Sequence, residues 1–181
     1  MTSTTAAEML ELFGEEHLVR PDPSASVTKG ADEEDARLLA DVGLPVELDI
    51  VFSLEVEGDP RIFRALLGIP VGLDEPLDAL ILGGPTGEPQ LRYVLDLRRG
   101  RVMLLAFEES GPQAEVINST LRDFLDFLSH YARHRQRLAA DMQRDAAPEV
   151  ERLAARMREQ DPLAFRTEDG LWPVVLDALA P

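Results

Sequence analysis

Residues 91–107 read Leu91-Arg92-Tyr93-Val94-Leu95-Asp96-Leu97-Arg98-Arg99-Gly100-Arg101-Val102-Met103-Leu104-Leu105-Ala106-Phe107. Two apolar runs of strand length flank a short polar loop, and that loop holds a glycine able to take the positive φ a tight turn demands. The stretch predicts a β-hairpin, with strands over 91–97 and 101–107 and Gly100 in the turn. Upstream, Ala79-Leu80-Ile81-Leu82 closed by Gly83-Gly84 is a further run of strand length, and residues 50–56 alternate toward another.

Outward from this β-rich centre the apolar period lengthens to that of helices. Ala6, Met9, Leu10 and Phe13 recur at helical spacing behind a Ser/Thr cluster, with Gly14 as a stop. Residues 20–30, rich in Pro, Ser and Gly, read as a loop. Asp32-Glu33-Glu34-Asp35 then open a second helix where the macrodipole favours acids, and Gly43 and Pro45 end it. On the C-terminal side Leu121, Phe124, Leu125, Leu128, Tyr131 and Ala132 share one face, behind Asn118-Ser119-Thr120, whose oxygens are expected to cap. Pro148 suits a first helical turn ahead of Val150, Leu153, Ala154 and Met157, and a last short helix carries Trp172, Val175, Leu176 and Leu179. Trp172, the only tryptophan, is expected in the core. Strands segregated from helices predict an α+β fold, a central, mostly antiparallel sheet with N-terminal and C-terminal helices packed on it.

At 181 residues and 45% hydrophobic content, the chain reads as one domain over 1–181, with an acidic helical region over 1–45. Cysteine is absent, which removes disulfides, thiolate nucleophiles and cysteine zinc sites together. Lys29 is the one lysine among 18 basic residues, a bias that points to a bacterial origin. The net charge is −16, and residues 1–60 hold most of it: 15 acids stand there against Arg20, Lys29 and Arg37, a net of −12. Such a chain is repelled by phosphate backbones and anionic lipid, so neither nucleic acid nor membrane is the expected partner. A basic protein is attracted instead; a purely solubilising role is the alternative. The first residues have neither the basic nor the apolar part of an export signal, so a cytoplasmic location is expected.

Enzyme chemistry finds no foothold. There is no Gly-x-Ser-x-Gly elbow, and Gly83-Gly84-Pro85-Thr86-Gly87 lacks the Lys-Ser/Thr of a phosphate loop and reads as a turn. His130 and His134 have metal-like spacing, but the helical period sets them opposite the Leu121/Phe124/Leu125/Leu128 stripe, facing solvent beside Arg133 and Arg137. No cofactor, metal or catalytic residue is predicted.

The order of segments resembles the SUKH superfamily, particularly its fourth subfamily of bacterial immunity proteins. The resemblance rests on Val42-Gly43-Leu44-Pro45, Leu80-Ile81-Leu82-Gly83, the hairpin over 94–102, Ile117-Asn118-Ser119-Thr120 with Leu121-Arg122-Asp123-Phe124-Leu125, and Asp161-Pro162-Leu163-Ala164 followed by Leu171-Trp172-Pro173-Val174-Val175-Leu176. It implies an α+β fold and a role in neutralising a polymorphic toxin, often a nuclease or nucleic-acid deaminase. Gly43, Pro45, Asp96, Gly100, Asn118 and Trp172 then look structural: Gly43 and Pro45 stop a helix, Gly100 makes a turn, and Asn118 caps. The expected partner is a basic toxin domain, met by Asp32, Glu33, Glu34, Asp35, Glu108 and Glu109, and the oligomeric state is left open. An accessory subunit regulating an enzyme of the same gene cluster is the second reading, and an enzyme with an unfamiliar site the third.

Overall fold

The hairpin sits inside a five-stranded antiparallel meander of order β5-β6-β7-β8-β9. Its strands are β5 (Ala65–Ile69), β6 (Leu77–Gly83), β7 (Leu91–Asp96), β8 (Val102–Glu108) and β9 (Gly111–Asn118). The computed structural model describes residues 4–55, 62–72, 75–140 and 147–179. In the turn, Gly100 has φ +66°, and Asp96 Oδ1 accepts from the amides of Arg98 (2.9 Å) and Arg99 (3.2 Å). Asp96 is 1% exposed, so its carboxylate fixes the turn from inside.

Both faces of this sheet are apolar, which is why β6 and β8 read as nearly unbroken hydrophobic runs. On one face Leu80, Leu82, Tyr93, Leu95, Val102 and Ile117 join the main core beneath the helices. Their alternate neighbours Leu77, Ala79, Ile81, Val94, Met103 and Leu105 form a second cluster with Val71, packed by Ile62, Leu66 and Ile69, as the sheet curls over itself.

Before the sheet come α1 (Ala6–Phe13), α2 (Pro23–Thr28) and α3 (Glu33–Val42), with β1 (Leu18–Val19) paired to β2 (Leu44–Pro45) and β3 (Glu47–Leu48) to β4 (Phe52–Ser53). Thr5 and Glu8 form a complete capping box on α1, and Gly14 ends that helix. After the sheet come α4 (Leu121–Ala140), α5 (Ala147–Gln160), a 3₁₀ turn over Pro162–Phe165, and α6 (Leu171–Asp177). The observed architecture is the α+β arrangement expected.

Local expectations fail in four places. The loop expected over 20–30 contains α2, because Asp22 Oδ1 accepts from the Ser24 amide at 2.8 Å and Pro23 opens the helix: the Pro/Ser composition of a loop is also that of a helix start. The strand expected over 50–56 shrinks to Phe52–Ser53, since Asp49 turns the chain at φ +50° and leaves Ile50 exposed; Val56 lies outside the described residues. Strands β5 and β9 had no counterpart in the sequence reading. Gly43 ends α3 with φ +81°, and Pro45 beyond that end pairs with Leu18 in β2. Asn118 does not cap α4; Thr120 does, its hydroxyl accepting from the Asp123 amide at 3.0 Å.

An aromatic chain runs through the main core. Phe52 stacks on Tyr93 at 5.9 Å, Tyr93 meets Phe124 at 5.4 Å, and Phe127 meets Trp172 edge-on at 5.1 Å. Tyr93 also donates its hydroxyl to the Val51 carbonyl at 2.8 Å, and burial pushes its phenol far above the usual range. At Gly83 the β4 backbone comes so close that a Cβ would lie 2.7 Å from the Ser53 carbonyl oxygen.

Candidate functional site

Asp32 caps α3, accepting from the Asp35 amide at 2.8 Å, and this places Asp32, Glu33, Glu34 and Asp35 in one helical turn. Glu33 is engaged by Arg37 at 2.9 Å, whereas Asp32 and Glu34 are exposed and take no cation among the described residues. Asp35 faces inward toward the β7–β8 turn, its Oδ2 lying 3.6 Å from where a Cβ on Gly100 would stand. Burial first, and the neighbouring charges of Asp32 and Glu34 after it, together raise its pKa to about 6. Apart from the Glu33–Arg37 pair, the negative charge of the run meets no cation among the described residues.

Folding redistributes part of the charge asymmetry. Glu8 is held by Arg133 of α4 at 2.6 Å, a bond that lowers its pKa, and Asp49 meets Arg135 at 2.9 Å and the Tyr131 hydroxyl at 3.0 Å. Two acids of the N-terminal third are thus neutralised by the long helix. Glu108 and Glu109 lie at the β8–β9 end of the hairpin, Glu108 accepting from the Ser110 hydroxyl. The length of β8, at roughly 3.3 Å per residue, separates them from the α3 start by on the order of 20 Å. The structure does not merge the two acidic groups into one patch.

Asn118 and Trp172 meet in a polar clasp under the helices. Asn118 is fully buried; its side-chain oxygen accepts from Trp172 Nε1 at 2.9 Å, and its amide donates to Asp161 Oδ2 at 3.1 Å. Asp161, also buried, accepts from the amide and the hydroxyl of Ser119 at 2.8 Å and 2.7 Å. Three hydrogen bonds thereby satisfy a carboxylate with no cation beside it among the described residues. These bonds join the end of β9, the end of α5 and α6. Indole burial is complete at Trp172.

His130 and His134 overturn their expected exposure. A helical period compares a residue only with its own helix, and here α5 packs over the polar side of α4, so His134 is 5% exposed. Both imidazoles, with Arg133, Arg137, Glu149, Arg152, Leu153 and Arg156, line a cleft of about 140 Å³ between the two helices. Burial is the main cause lowering both pKa values, opposed at His130 by Asp126 and at His134 by Glu149. Among the described residues neither Nε2 atom has a hydrogen-bond partner. Basic residues repeating every three or four positions on two successive helices were the available sequence signal for this cleft, and it went unread.

Among the described residues no group of three or more His, Asp or Glu side chains is placed to hold a metal ion, and no helix is long and apolar enough to cross a membrane. The arrangement offers charged surface and rigid polar anchors, the equipment of recognition. Compared with known families, the chain is matched over residues 4–178 by the model described as SUKH-4 immunity protein. No curated protein and no solved structure matches it.

Proposed function

From the premise that this chain belongs to the SUKH-4 immunity protein family, we propose that it neutralises a cognate toxin by binding it, without catalysis, and that the partner presents a basic surface to the start of α3. The toxin class that fits is one acting on nucleic acid, because a protein built to hold phosphate backbones carries the positive surface that acids recognise. The observation that carries this reading is the acidic turn from Asp32 to Asp35, where burial and, after it, the charges of Asp32 and Glu34 hold the Asp35 pKa up at about 6. A cation docked there relieves the repulsion, so the site is electrostatically primed for one. Glu108 and Glu109 belong to the same interface if the partner spans on the order of 20 Å, well within a standard patch of about 800 Å² per side.

The test is association with the toxin encoded beside the gene. Co-expression should yield a stoichiometric complex, with an on-rate that falls steeply as salt rises. Replacing Asp32, Glu33, Glu34 and Asp35 by Asn or Gln should slow association about tenfold at low salt and flatten the salt dependence, while dissociation changes less. Binding should also weaken as pH falls through 6, where Asp35 gains its proton. Equal on-rates for variant and parent at low salt would reduce the run to a solubilising helix start.

A further inference from the structure

We propose that the cleft between α4 and α5 binds a phosphoryl group, carried by inorganic phosphate or by a phosphomonoester. The site is built rather than merely charged. His134 lines the cleft and is 5% exposed, and its buried Nε2 has no hydrogen-bond partner among the described residues. A buried nitrogen left without a partner is costly, and a ligand oxygen removes the deficit. Around it stand Arg133 and Arg137 from α4 and Arg152 and Arg156 from α5. Arg133 is committed to Glu8 at 2.6 Å and Arg152 lies 3.9 Å from Glu149, but Arg137 and Arg156 take no carboxylate among the described residues.

Guanidinium groups from two facing helices suit a tetrahedral oxyanion, which presents oxygens to both walls at once; a planar carboxylate satisfies one wall only. At about 140 Å³ the cleft has room for one such group with a few waters. This concentration of cations in a chain of net charge −16 is otherwise unexplained, since the protein as a whole repels anions.

The histidines make the site responsive to pH. At His134, Glu149 favours the proton while Arg137 and Arg135 oppose it; at His130, Asp126 and Gln160 favour it while Arg156 and Arg133 oppose it. In both, burial holds the imidazole neutral, and a bound dianion reverses the balance. Binding therefore takes up protons and tightens as pH falls. Sulfate stays dianionic throughout and isolates this effect from the titration of phosphate itself.

The experiment is calorimetric titration of the full chain at low ionic strength, alongside NMR of the histidine ring signals. Inorganic phosphate should bind saturably and shift the His134 resonances, and Arg137→Gln with Arg156→Gln should weaken it about tenfold or more. Both arginines are exposed, so the variant keeps its fold, and an unchanged Trp172 emission verifies that. Sulfate should bind more tightly at pH 5.5 than at pH 8, on the scale of about tenfold; His130→Gln with His134→Gln abolishes that difference. Tighter binding of glycerol phosphate than of free phosphate assigns the site to a phosphorylated ligand, and the reverse assigns it to the ion; either supports the site. No saturable binding, equal affinity in the arginine variant, or acetate binding as tightly as phosphate overturns the proposal.

Discussion

Replacing Asn118 by Ala strikes the point where β9, α5 and α6 are joined. The substitution strands the Trp172 indole N–H in a fully buried site, at about 1–3 kcal/mol, and removes one of the three hydrogen bonds to the buried Asp161 carboxylate, at about 1.5–3 kcal/mol. Because the two losses share one side chain and the site partly relaxes, a total of about 3–4 kcal/mol is expected, a large part of the roughly 5–15 kcal/mol of a typical domain. Urea unfolding followed by emission is the natural assay, since Trp172 is the only tryptophan and lies inside the clasp. With m near 2 kcal/mol per M, the midpoint should fall by about 1.5–2 M while m stays constant. Asn118→Leu preserves most of the volume but neither bond, so it should not rescue the loss. A midpoint shift under about 0.5 M in the Ala variant, or recovery by Leu, would refute the reasoning by showing that shape, not hydrogen bonding, holds this junction.

Trp172→Ala should cost about 3–5 kcal/mol through lost packing against Phe124 and Phe127, and native emission should be blue-shifted; a maximum typical of hydrated indole contradicts the burial of α6. Asp35→Asn should stabilise the protein at pH 8, on the order of 1 kcal/mol after allowance for solvent screening. Folding raises the Asp35 pKa to about 6, so between about pH 4 and 6 the folded state binds more protons and stability falls as pH rises; the gain in the variant should vanish near pH 4, and thermal melts across that interval check it. Gly83→Ala forces a methyl to within 2.7 Å of the Ser53 carbonyl oxygen and 2.8 Å of the Phe52 ring, and should lower stability by about 2–3 kcal/mol in the same urea assay.

What the sequence disclosed and what it withheld divide along the range of the interactions involved. The β7–β8 hairpin and the long α4 helix were legible because turn chemistry and apolar period are local, as were the Thr5 and Asp32 ends of α1 and α3. Strands β5 and β9 escaped because they are the edges of the sheet, half exposed, with a register shift between Leu66 and Ile69 and glycine or proline at their ends. The role of Asn118 escaped because its partners lie 43 and 54 residues away. His130 and His134 were misplaced for the same reason: which helix covers a polar face is decided by tertiary packing. The acidic run at α3 was visible as charge, but its proximity to Gly100 and the neutralisation of Glu8 and Asp49 by α4 were not.

The docking of α1 on α4 has a kinetic consequence. Thr4 donates its amide to Asp126 Oδ1 at 2.6 Å and exchanges a hydrogen bond with the Ser129 hydroxyl at 2.6 Å, contacts that close a loop of more than 120 residues. The meander, by contrast, is built from neighbouring strands, so its hairpins close short loops and can form early, while the N-terminal clasp waits for α4 to exist. Opening should run in the reverse order. With Met9 as its one buried side chain, α1 can lift away at low free energy while β7, β8 and α4 stay intact, so amide exchange should be fastest in α1 and slowest in the central hairpin. A partner gripping the N-terminal third then closes the most easily opened part of the molecule, and its arrival would register first as slowed exchange in a helix it need not touch.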